Sequence, residues 1–99
     1  MITNEEKCGL LSDFLGSDYY CGLVTADTES ITTMKSTIEQ YIDWSSVNIL
    51  NPSQGITDII NAGLVVIADC DSIITSGNYI DLDDIRLHVA DAKLAVDSL

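Results

Sequence analysis

The apolar residues of this chain recur at helical steps in four separated stretches. The clearest runs from Asn51 to Gly77, where Ile56, Ile60, Gly63, Ile67, Cys70 and Ile74 fall on one face, widened by Ile59, Ala62, Val66 and Ile73. Asp58, Asn61, Asp69, Ser72 and Thr75 land on the other side, so the pattern predicts one long amphipathic helix over 52–76 around which the rest is organised. Leu64 to Ala68 shows no strict alternation, which argues against a strand. Asn51 is the expected cap, with Pro52 in the first turn and Gln54 three residues past the cap, and Gly77 is the expected left-handed stop.

Thr3 and Glu6 have capping-box spacing, and Cys8, Leu10, Leu11, Phe14 and Leu15 predict a short helix over 4–15 that stops near Gly16. The segment 17–24 reads as an irregular or single helical turn, because Gly22 interrupts it. Thr25 is the expected cap of the next helix, over 25–45, whose stripe is Ile31, Met34, Ile38, Tyr41 and Ile42. Trp44 falls off that stripe. Asp81 is the expected cap of a last helix over 82–98, with Asp83 and Asp84 in the first turn and Ile85, Val89, Ala92, Val96 and Leu99 facing inward. Leu87, Ala90 and Leu94 form a second, outward row on that helix. The expected fold is all-α: one domain over 1–99, a bundle of about four helices joined by short linkers.

Composition narrows the function classes. With 46% hydrophobic residues among 99, the chain can build one core without staples. The net charge of −12 combines 16 acidic residues with only four basic ones, Lys7, Lys35, Arg86 and Lys93. The basic deficit is the larger signal. So few cations cannot neutralise a nucleic-acid backbone or an anionic lipid surface, and neither is an expected partner. Cys8, Cys21 and Cys70 are odd in number and widely spaced, which indicates neither a disulfide framework nor a zinc site, and a reducing compartment follows. No signal peptide and no uninterrupted apolar stretch of spanning length is visible, so no membrane span and a cytoplasmic location are expected.

Local patterns that look like chemistry do not hold together. Leu64 to Asp71 resembles the first motif of haloacid-dehalogenase-like phosphatases, with Asp69 and Asp71 as its two aspartates. Helical periodicity turns those carboxylates roughly 200° apart, which reads as two solvated side chains. The same pair fails as a calcium loop, since the fifth and twelfth ligand places would be Ile73 and Ile80. Asp97, Ser98 and Leu99 echo the attachment site of acyl carrier proteins, but in that family the serine opens a helix with much of the domain still to follow. His88 is the lone histidine, with Asp84 four residues before it and Asp91 three after, and a raised pKa is expected. No nucleophile, base and orienting partner can be assembled, so no enzyme, cofactor or metal is expected.

Two functional readings follow. The first is a small acidic inhibitor of a basic, nucleic-acid-handling protein, of anti-CRISPR, anti-restriction or nuclease-immunity type, encoded by a phage or plasmid and acting in the host cytoplasm. Its partner-binding acidic face would be Asp81, Asp83, Asp84, Asp91 and Asp97. The second is a homo-oligomeric structural or adaptor module. Its interface would use Leu87 and Leu94, with Tyr19 and Tyr20 as residues of a type favoured at binding surfaces.

Overall fold

The computed structural model describes residues 6, 9–10, 27–80 and 82–98. Among them the chain is all-α, with three long helices and no strand: α1 (Thr28–Asn48), α2 (Gln54–Ser76) and α3 (Asp83–Asp97). Residues 6, 9 and 10, inside the first predicted helix, are helical. The remainder of that helix and the turn expected over 17–24 lie outside the described residues, and the caps of α1 and α3 fall at Asp27 and Leu82 instead of the expected Thr25 and Asp81.

α1 begins where Asp27 closes a capping box. The Ser30 backbone N–H donates to Asp27 Oδ1 at 2.8 Å, and the Asp27 backbone N–H donates to Ser30 Oγ at 3.0 Å. This satisfies donors that the first turn of a helix leaves open. The helix ends at Asn48, about one turn beyond the expected residue 45. Ser46 and Asn48 donate to the carbonyls of Asp43 and Trp44, so these polar residues are accommodated within the last turn instead of breaking it. Of the predicted stripe, Ile31, Met34, Ile38 and Tyr41 are buried and Ile42 is half-buried at its edge. Trp44 is half-buried, its ring centroid 6.3 Å from that of Tyr41.

The cap of α2 is Ser53, not Asn51. Its side-chain oxygen accepts from the Ile56 N–H at 3.3 Å, so the helix starts two residues after Pro52 instead of at it. Gln54 does not return to close a box. Its amide donates to Asp58 at 2.8 Å, one turn on. At the other end Gly77 adopts φ 70° and its N–H donates to the Ile73 carbonyl at 2.8 Å, the expected left-handed stop.

The buried face of α2 is rotated from the predicted centre. Ile56, Ile59, Gly63, Val66, Cys70 and Ile73 are buried, Ile60 and Ile67 are half-buried, and Ile74 is exposed. Two neighbours set this rotation, because α2 packs against α1 on one side and α3 on the other, so its buried stripe must face the line where all three meet. Gly63 marks the closest approach to α1: a Cβ there would lie 2.9 Å from Ile38 Cγ2. By length and composition this 23-residue helix is long and apolar enough to cross a bilayer, although Asp58, Asn61, Asp69 and Asp71 interrupt its apolar residues, as expected from the sequence. Here it forms the middle of a bundle and carries Asp69 and Asp71, each engaged by a neighbouring helix.

α3 starts after Leu82, which makes no side-chain cap and is instead buried at 4% exposure. Asp83 and Asp84 occupy the first turn, where negative charge meets the positive end of the dipole. Ile85, Val89, Ala92 and Val96 complete the single apolar core. The loop between α2 and α3 is tied to the start of α1 by a hydrogen bond of 2.8 Å between the Tyr79 and Thr28 hydroxyls.

Candidate functional site

Four ionisable side chains, Asp69, Asp84, His88 and Asp91, come together along the seam between α2 and α3. Asp69 points along α2 toward α3, and its Oδ2 meets Nδ1 of His88 in a short hydrogen-bonded contact. The two side chains keep 22% and 31% of their surface, so water still reaches the pair. Asp84 and Asp91 stand one turn on either side of His88 along α3, on the same edge. The imidazole is thus set among three carboxylates, and its pKa is raised, first by the hydrogen bond to Asp69; burial opposes this, and the charges of Asp69, Asp84 and Asp91 each add a smaller upward push.

Two shallow depressions flank this pair. One, of about 130 Å³, is lined by Asp69 and Asp84 with Ser72, Ser76 and Asn78, over Ile73 and Ile85. The other, of about 140 Å³, lies between His88 and Asp91 of α3 and Ala62 and Val65 of α2. The first offers carboxylate, hydroxyl and amide oxygens and suits a cationic group. Among the described residues no three His, Cys, Asp or Glu side chains are arranged to hold a metal ion.

The acidic positions expected to share one face separate into two edges of α3. Asp84 and Asp91 lie on the α2 side with His88. Asp83 and Asp97 lie on the other side, where Asp83 is 3.9 Å from Arg86 and Asp97 is 2.5 Å from Lys93. The 100° step of the helix makes this division, since residues 84, 88 and 91 share one edge and residues 83, 86, 93 and 97 another. Asp81, Tyr19 and Tyr20 lie outside the described residues. Leu87 and Leu94 point outward as expected, 59% and 66% exposed. Asp69 was not among the expected site residues. It lies 19 positions from His88, and spacing within one helix carries no signal for a contact between two.

Cys70 neighbours Asp69 in sequence but faces the core, with no exposed surface. Burial, aided by Asp69 and Asp71, pushes its thiol up to about 12. The nucleophilic thiolate is therefore negligible at neutral pH. In a chain carrying Cys8→Ser and Cys21→Ser, Cys70 is expected to resist an aromatic disulfide reagent under native conditions and to react promptly in denaturant. Equal rates in the two conditions would contradict its placement. On the α1 side, Lys35 Nζ lies 2.6 Å from Asp71, whose hydrogen bond and charge raise the lysine pKa.

No protein-family model matches the chain, and neither a curated protein nor a solved structure does.

Proposed function

We propose that the chain is a small, acidic, non-enzymatic inhibitor that binds a basic, nucleic-acid-handling protein in the cytoplasm of a host cell, as a phage- or plasmid-encoded product of anti-CRISPR, anti-restriction or nuclease-immunity type. The observation that carries this reading is the grouping of Asp69, Asp84 and Asp91 along the α2–α3 seam of a chain with net charge −12. Lys35, Arg86 and Lys93 each lie against a carboxylate other than these three, so of the described cations only a protonated His88 stands within the group that a basic partner would meet. Carboxylates on rigid helices can stand where phosphates would, and their attraction is screened by salt.

The competing reading is a homo-oligomeric module that associates through the outward row of α3. It is favoured by the exposure of Leu87 and Leu94. Salt separates the two. The purified chain is expected to inhibit a basic nuclease or restriction enzyme at low ionic strength and to lose that inhibition steeply as salt rises, with Asp84→Asn/Asp91→Asn weakening it more than Asp83→Asn/Asp97→Asn. Sedimentation in the same buffers is expected to give a monomer. A salt-resistant oligomer that inhibits none of these enzymes would overturn the inhibitor reading in favour of the module.

A further inference from the structure

We propose that the Asp69–His88 contact is a proton-operated fastening between α2 and α3, closed while the imidazole carries its proton and loosened when it does not. The geometry places the lone histidine of the chain at a junction of two helices and bonds it to the helix opposite, 19 residues away in sequence. On its own helix the ring is bracketed by Asp84 and Asp91. From α2 it faces Asp69, with the uncharged Ala62 and Val65 beside it. The charged residue that α1 brings to α2, Lys35, is bound to Asp71 and so is not at the seam.

With the proton in place, one cation sits among three carboxylates and draws the helices together. Without it, Asp69 of α2 faces Asp84 and Asp91 of α3 with no positive charge between them, and like charges at this range repel. The neutral ring can still donate from Nδ1 to Asp69, so the fastening weakens without vanishing. Because the folded state raises the histidine pKa above its ordinary value of 6.5, the stabilisation is fully present below that value. It is lost as pH rises through the raised folded value. The device is a property of the fold and holds whether or not the carboxylates meet a partner.

The test follows the ring protons of His88 by NMR between about pH 5 and 9, and the urea unfolding equilibrium over the same range. The unmodified chain is expected to show a ring midpoint above 6.5. Its folding equilibrium constant should fall as pH rises, by tenfold for each unit of displacement. His88→Gln is expected to remove that part of the pH dependence, and Asp69→Asn to bring the ring midpoint back toward 6.5. Amide exchange, corrected for its intrinsic dependence on pH, should show α3 losing protection at high pH before α1 does. A ring midpoint at or below 6.5 in the unmodified chain overturns the proposal, and that reading stands even if neither variant folds. An unchanged pH dependence in His88→Gln overturns it as well.

Discussion

Gly63→Val is expected to destabilise the bundle by about 2–3 kcal/mol, measured as a lower urea midpoint at unchanged m-value. A Cβ at residue 63 would lie 2.9 Å from Cγ2 of Ile38, and a branched side chain adds two more carbons to that space. Cγ2 is attached directly to the branched Cβ of Ile38, so it can retreat only by turning χ1 or by moving α1. The cause can be isolated with alanine. Gly63→Ala gains about 1 kcal/mol of helix propensity, which the clash opposes in the native background. In an Ile38→Ala background the obstructing methyl is gone, and the same change is expected to stabilise. A double-mutant cycle with no coupling between positions 38 and 63 would contradict the close helix approach.

Ile31→Ala is the other large effect, expected at about 2–5 kcal/mol by thermal or urea unfolding. Ile31 has no exposed surface and belongs to the core shared by α1, α2 and α3. Shortening it removes apolar area from that core and leaves a cavity that three rigid helices can only partly close. The exposed Leu94→Ala serves as the control and is expected to shift stability by less than about 0.5 kcal/mol in the monomer. Equal losses at the two positions would mean that α1 does not bury the face drawn for it.

These cases show which parts of the molecule can be read from spacing. The stripe of α1 is legible because it faces one side, and Gly77 is legible because a glycine after a long apolar period ends a helix in a recognisable way. The face of α2 is less so. A helix with a neighbour on each side buries a wide arc, and periodicity finds the middle of its apolar residues instead of the line where three helices meet, which is why Ile74 is exposed and Val66 is not. The start of α2 illustrates the limit of residue preference: Asn51 and Ser53 both cap well, and spacing does not choose between them, whereas the hydrogen bond from the Ile56 N–H to Ser53 does. α3 has no side-chain cap, because the residue at its cap is Leu82, whose apolar side chain is buried and carries no acceptor.

The candidate site is half legible for a related reason. Asp84 and Asp91 are local to His88, and helical spacing places them beside it. Asp69 comes from the preceding helix, and nothing in its own sequence neighbourhood distinguishes it from Asp71. Packing assigns the two aspartates different partners, His88 of α3 for Asp69 and Lys35 of α1 for Asp71. The roughly 200° between them on the helix, which disqualifies them as a catalytic pair, is the same angle that lets α2 be held from both sides.

The candidate site and the fastening both require α3 to lie along α2 in the register that brings His88 to Asp69. A carbon-edited NOE spectrum of the labelled chain measures this directly. The ring protons of His88 are expected to show cross-peaks to protons of α2, from Asp69 and from Val65 on the wall of the same depression, whereas a spectrum in which that ring contacts only residues of its own helix would contradict it.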